Sequence, residues 1–303
     1  MSPYRKALIE QMTLRNLSPK TMESYVQWMA RLCQFVCKTP DRITPADVRR
    51  FLVYLITERG YAYSSVNQAR NALKYYFKHI QKTPELVGDL PPMKKEFRLP
   101  EVLGQDEVFR LLHAPSMNVR NLTLLKLAYG CGLRVSELIS LRITDIQGER
   151  GMVFVRGGKG RKDRYVPLSS GLLEELRFYH RACLAWNTNG EKTPWLFPSP
   201  RNPQKYIDDS VVQRVFNKAR ELAGVRRGHG LHTLRHCYAT HSLEMGVDLK
   251  TLQLRMGHKD LKATLIYLHV VDIKASTIAG PYDTLVRRAS AATENSEGQN
   301  RME

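Results

Sequence analysis

Between Thr83 and Pro100 the chain carries four prolines and no hydrophobic period (TPELVGDLPPMKKEFRLP). Proline fixes φ and removes a backbone donor, so this stretch suits neither a helix interior nor a sheet ladder. A chain of 303 residues interrupted there divides into two folding units rather than one. The expected layout is residues 1–82, a linker at 83–100, a larger unit at 101–288, and a disordered polar tail at 289–303.

Helix signals crowd the first unit. Pro3 to Asn16 has helical spacing. Ser18 followed by Pro19 reads as an N-cap and first-turn proline opening a helix through Val36, and Thr44, Pro45 and Asp47 repeat the signal up to Arg59, with Gly60 as the stop. Ser64 or Ser65 opens a further helix through Ile80. In the second unit, helices are expected at about 105–113, 117–130, 170–186, 208–223, 231–245 and 248–256. Two strand-like runs, Met152 to Arg156 and Arg164 to Leu168, flank GGKGRKD and predict a β-hairpin. The fold class is therefore mainly α with a small β-sheet in the second unit.

A net charge of +18 and a pI near 9.8 favour a polyanionic partner, with nucleic acid first. The basic excess is shared by both units, so each can face a duplex. In the first unit Lys20, Arg49, Arg50, Arg70, Lys74 and Lys78 stand on expected polar helix faces, and Lys162 and Arg164 stand at the hairpin. No run approaches the roughly 18 apolar residues of a membrane span, and the first residues lack a signal-peptide core, so the expected location is the bacterial cytoplasm or nucleoid. Five scattered cysteines, Cys33, Cys37, Cys131, Cys183 and Cys237, read as reduced and mostly buried thiols.

The chemistry-bearing residues lie in the second unit: Arg134 and Glu137 in GLRVSEL, Lys159 in GGKGRKD, His232 and Arg235 in LHTLRH, His258 in MGH, and Tyr267 in ATLIYLHV. Guanidiniums match phosphate oxygens, imidazoles move protons near neutrality, and a phenol can become a covalent nucleophile. His232 and Arg235 are three apart, so on a helix they share a face.

In this order the residues resemble the tyrosine recombinase family, the phage integrase and Xer-like enzymes, and LSPKTMESY (Leu17 to Tyr25) resembles the opening of that family's helical core-binding domain. The resemblance spans about residues 3 to 285. It implies a two-domain DNA clamp, with a SAM-like helical core-binding domain and a recombinase catalytic domain. It implies that Arg134, Arg235 and His258 hold the scissile phosphate, that Lys159 on the hairpin and His232 handle protons, and that Tyr267 attacks, with Glu137 and His269 behind them. It further implies site-specific recombination through a 3′-phosphotyrosyl intermediate and a Holliday junction. Two preorganised guanidiniums stabilise the charge gathering on a phosphorane, so no metal is expected, and a phosphotyrosyl ester conserves the energy of the broken bond, so no ATP is expected. Expected partners are duplex DNA with paired recombination sites, further copies of the chain in a tetramer, and accessory DNA-bending proteins. The apolar positions of Val270 to Arg288 would dock on a neighbouring protomer. A mobile-element integrase is the preferred setting.

Other readings use the same residues. His232 and His236 have the spacing of a zinc-binding HxxxH, although the interior glutamate of HExxH is missing and Arg235 would stand beside the metal. A type IB topoisomerase-like enzyme would share the phosphotyrosine chemistry, and a silent DNA-binding regulator would use the clamp alone. Met256, Cys237 and Leu268 stand where leucine, a small hydroxyl residue and threonine are common in the family.

Overall fold

The computed structural model describes residues 2–88, 99–157, 163–184 and 192–270. Lys159, Lys162, the tail from Val271 onward and most of the expected linker lie outside the described residues. The chain separates into two compact units, Met1–Arg98 and Leu99–Glu303.

The first unit is helical: Pro3–Leu14, Pro19–Val36, Pro45–Thr57 and Tyr63–Tyr76, the last widening into a π-turn at Phe77–Gln81. Side-chain oxygens of Ser2, Ser18 and Thr44 accept from backbone N–H groups in the first turn, and a proline follows each cap. Proline loses nothing there, since first-turn N–H groups have no intrahelical acceptor. Thr44 and Asp47 cap reciprocally, and Lys38 Nζ donates to Asp47 Oδ2 at 2.7 Å. Leu8, Met12, Trp28, Leu32, Phe51, Leu73 and Phe77 form the core. The fourth helix starts at Tyr63, ahead of the serines, with Ala62 at the N-cap making no side-chain bond. The segment expected to be linker begins instead with one helical turn, Glu85–Gly88. Val87 explains it, being buried in the same core, where leaving the chain extended would expose an apolar side chain.

In the second unit the helices are Gln105–Leu112, Val119–Gly130, Val135–Ile139, Ser170–Tyr179, Asp209–Leu222, Leu231–Glu244 and Leu249–Met256, followed by short turns at Lys262–Leu265 and Ile266–His269. The expected hairpin is present, with an added first strand: β1 (Ile146–Gln147), β2 (Met152–Val155) and β3 (Arg164–Pro167) pair antiparallel in that order. Val153 lies opposite Val166, and both are buried, as period-two alternation requires. A second small sheet, Pro198–Ser199 against Asn202–Tyr206, was not legible in the sequence. Its strand NPQKY has no apolar alternation, and side chains help to hold it: Thr193 Oγ1 donates to Pro203 O at 2.6 Å and Trp195 Nε1 to Gln204 O at 2.9 Å.

Two apolar clusters build this unit. The larger includes Leu111, Leu124, Leu127, Leu138, Val153, Phe197, Phe216 and Leu234. The smaller consists of Ala239, Leu252, Met256 and Tyr267. Helix Leu231–Glu244 contributes Leu234 to the first and Ala239 to the second, so it is enclosed along much of its girth and its polar side chains are fixed by their surroundings. Cys131 and Cys237 are buried free thiols, Cys33 is half-buried, and Cys37 is exposed. Among the described residues no helix is long and apolar enough to cross a membrane.

Candidate active site

One carboxylate and one helix end organise the site. Glu137 sits in the first turn of helix Val135–Ile139 and accepts the backbone N–H of Arg134, the N-cap, at 2.9 Å. Its Oε1 also receives Arg134 Nη1 at 2.7 Å, and its two oxygens receive Arg164 Nη1 and Nη2, each at 2.9 Å. Arg235 Nη1 lies 3.9 Å from Oε2. The helix Leu249–Met256 supplies the other half of the frame: three successive carbonyls at its C-terminus, on Arg255, Met256 and Gly257, accept from Arg164 (2.7 Å), Arg235 (2.7 Å) and Arg134 (3.2 Å). Terminal helix carbonyls have no intrahelical partner and carry the negative end of the dipole, so they bind guanidiniums well. Arg235 is completed by Gly132 O at 2.5 Å.

Two glycines permit this closeness. Gly132 has φ +57°, and a Cβ there would collide with the ring of Tyr238; Gly257 has φ +61°, and a Cβ would stand 3.0 Å from Arg164 Nη1. Both positions are left-handed and occupied by neighbours, so any side chain would be strained and would displace the frame.

Burial alone would raise the Glu137 pKa, but the hydrogen bonds and charge of Arg164, followed by those of Arg134, hold it at about 2. Burial, with Arg134 nearby, lowers Arg235 to about 10, which leaves it cationic at neutral pH. Three guanidiniums thus share one carboxylate, and the surplus positive charge suits a phosphate.

The histidines differ among themselves. His258 Nε2 lies 3.0 Å from Arg235 Nη2 and its Nδ1 2.9 Å from Thr264 Oγ1. A guanidinium can only donate, so Nε2 is the acceptor and the ring proton sits on Nδ1, donated to Thr264. Burial and then Arg235 lower its pKa to about 4, in keeping with a neutral ring. His232 is exposed, and its pKa is lowered by partial desolvation and then by Arg235 and Arg134. His241 is structural: it bonds Tyr129 Oη at 2.9 Å and Leu103 O at 3.0 Å.

Tyr267 is only 3% exposed. Its hydroxyl lies 3.0 Å from Nδ1 of His236, and its ring stacks against His258 at 6.4 Å between centroids. Burial raises its pKa, while the charges of Arg235 and Arg134 pull the other way.

Thus Arg134, Glu137, Arg235, His258 and Tyr267 come together, with His232 on the same helix as Arg235. Lys159 and Lys162 lie outside the described residues. Arg164, expected at the DNA surface, points inward instead; its side chain is 10% exposed and is engaged by Glu137 and the helix end. A strand residue opposite the buried Val155 gave no sign in the sequence of a distant carboxylate. His236 was passed over as a site residue, although the i to i+4 spacing from His232 placed it on the same face. His269 is exposed, one residue past Leu268. In the first unit Lys20, Arg49, Arg50 and Lys78 are exposed, and Arg70 and Lys74 half-buried.

Residues 101–273 match the description "Phage integrase family", and residues 4–85 match "Phage integrase, N-terminal SAM-like domain". A tyrosine recombinase of Pseudothermotoga lettingae is 35% identical over 276 residues, covering 86% of this chain and 91% of the relative. The chain belongs to the phage integrase family of tyrosine recombinases. Among solved structures, XerA recombinase is 30% identical, with a TM-score of 0.52 over 89% of this chain and 94% of that one. XerH site-specific recombinase bound to a palindromic difH substrate has a TM-score of 0.70, covers 89% of this chain and 82% of that one, and is 22% identical, a likeness of fold alone. This tyrosine recombinase is an enzyme of site-specific DNA strand breakage and rejoining.

Proposed function

We propose that this recombinase cuts each strand of paired sites by attack of Tyr267 on the scissile phosphate, leaving a 3′-phosphotyrosyl ester and a free 5′ hydroxyl, and exchanges strands through a Holliday junction. The convergence of Arg134, Arg235, His258 and Tyr267 on one frame, from segments far apart in sequence, carries the reading. Arg134 and Arg235 stabilise the non-bridging oxygens of the phosphorane more than those of the ground-state diester. Arg235 orients His258, which completes the phosphate pocket. His232 handles protons at the exposed side, and Lys159 on the hairpin protonates the departing 5′ oxygen. The ester conserves the energy of the broken bond, so rejoining needs no ATP, and the paired guanidiniums supply the charge a metal would otherwise bring.

Both units contact duplex DNA, the first through Lys20, Arg49, Arg50, Arg70, Lys74 and Lys78 along the backbone. Four copies assemble on two sites, the segment Val270 to Arg288 docking on a neighbour, with DNA-bending proteins as accessories. The setting is a mobile element in a bacterial cytoplasm.

The test begins with duplexes selected from a random-sequence pool. On a nicked suicide version of the selected site, the wild type should accumulate a covalent complex. Tyr267→Phe should bind the duplex and form none; undiminished adduct would remove Tyr267 from the mechanism. Relaxation of supercoils without joining of two sites would favour a topoisomerase.

A further inference from the structure

The hydroxyl of Tyr267 has one imidazole within hydrogen-bond reach in the described structure, and it is not the expected one. His236 Nδ1 stands 3.0 Å from Tyr267 Oη, with the rings tilted by 47° at 5.7 Å between centroids. No hydrogen bond joins His232 to Tyr267 among the described residues. His258 stacks beside the tyrosine ring, but its nitrogens are taken by Arg235 and Thr264. Position 236 is one residue beyond Arg235, so the same enclosed helix carries both this ring and the arginine.

Resting on the assignment of Tyr267 as nucleophile, we propose that His236 is a further catalytic residue, the general base that receives the phenolic proton of Tyr267 as the oxygen attacks phosphorus. In that step the Tyr267 Oη–P bond forms and the bond from phosphorus to the 5′ oxygen breaks. The phenolic proton moves to His236 Nδ1, and the 5′ oxygen takes a proton from the general acid assigned above. Rejoining runs the same transfers backwards, with the imidazolium returning its proton to the departing phenol.

The surroundings keep the ring in its neutral, accepting form. His232 and Arg235 face the ring from its own helix, Tyr267 faces it from the Ile266–His269 turn, and Arg134 and Glu137 lie behind Arg235. Burial first, then His232 and Arg235, lower the His236 pKa to about 4, so the ring is neutral and one nitrogen is free to accept throughout the physiological range. Tyr267, whose pKa is raised, supplies almost no phenolate of its own, so attack without a base would depend on hydroxide. A positioned base contributes about 10² to 10⁴ in rate.

The experiment measures single-turnover formation of the covalent complex on the nicked selected duplex against pH, alongside duplex binding. Wild-type rates should be flat from about pH 6 to 9. His236→Ala should bind the duplex, lose about 10²- to 10⁴-fold in rate at pH 7, gain about tenfold per pH unit, and recover with added imidazole. His236→Asn, which keeps an acceptor near the Nδ1 position but cannot carry a proton, should show the same loss and slope, and it decides the case should the alanine variant fail to fold. A wild-type rate in His236→Ala, or a wild-type rate and flat profile in His236→Asn, would overturn the proposal and leave Tyr267 as nucleophile. Adduct formation by Tyr267→Phe, with His236 intact, would overturn the underlying assignment instead.

Discussion

The two units keep their charges in different places. Among the described residues of the first unit, Asp47 is the charged side chain that is buried, and it caps a helix while pairing with Lys38. The second unit buries Glu137, Arg235 and Asp145, and His241 with them. Removing a charge from water costs several kcal/mol before any partner compensates, and nothing in a mostly helical fold requires that expense. In the second unit that cost is met by three guanidiniums around one carboxylate. The first unit, with its lysines and arginines outward, suits attraction to a polyanion; the second suits chemistry on one phosphate.

The sharpest way to break this contrast is Glu137→Gln. It leaves Arg134, Arg164 and Arg235 without their carboxylate, and breaking a buried ion pair on one side costs about 3–5 kcal/mol. Chemical denaturation should show the loss, and covalent complex formation should fall with it. Because the folded-state pKa of Glu137 is depressed to about 2, its stabilisation is fully present above the unfolded carboxylate value of about 4.3 and is lost as pH falls towards 2. Wild-type acid denaturation should steepen in that window, and the step should vanish in the variant.

Asp47→Ala should do less. Loss of its half of the capping box with Thr44 costs about 0.5–2 kcal/mol, again read by denaturation. Its pKa, held at about 2 mainly by Lys38, gives the same sign: stability present above about 3.9 and lost below. Equal losses at Asp47 and Glu137 would mean that the two units use buried charge alike.

Smaller still is Arg49→Ala with Arg50→Ala. Exposed cations on a duplex backbone release counterions, so each contact removed should lower the salt slope of binding by about 0.9, weakening all sequences about equally. Unchanged slope would take this helix away from the DNA. The smallest expected effect is none: the proposed function gives Arg134 and Arg235 the electrostatic role that divalent ions have in two-metal nucleases, so cleavage should persist in excess EDTA. Loss of cleavage restored by Mg²⁺ would contradict that.

What the sequence made legible follows from how local each signal is. The Ser-Pro and Thr-Pro starts at residues 18 and 44 were readable because capping involves neighbours three residues apart. The hairpin was readable from alternation and glycine. Arg134, Arg235, His258 and Tyr267 were readable only as an ordered set resembling a family; their convergence depends on contacts across more than a hundred residues, such as Arg134 to Gly257 O. Arg164 was misplaced because a basic residue beside a glycine-rich turn looks solvated until its partner, Glu137, is known. The sheet at Pro198–Tyr206 is held in part by side-chain hydrogen bonds, which leave no periodic trace. His236 was obscured by Arg235, its more conspicuous neighbour.

The three carbonyls at the end of helix Leu249–Met256 have one more implication, for how such a chain can change over generations. Each residue added to or removed from a helix turns its end by about 100° and shifts it by about 1.5 Å. A single-residue insertion between Leu249 and Met256 would therefore present the carbonyls of residues 255–257 to the wrong arginines, whereas a point substitution on the exposed Leu254 would leave them in place. This segment should tolerate changes of letter but not of length, and length variation between relatives should collect in the loops on either side of it.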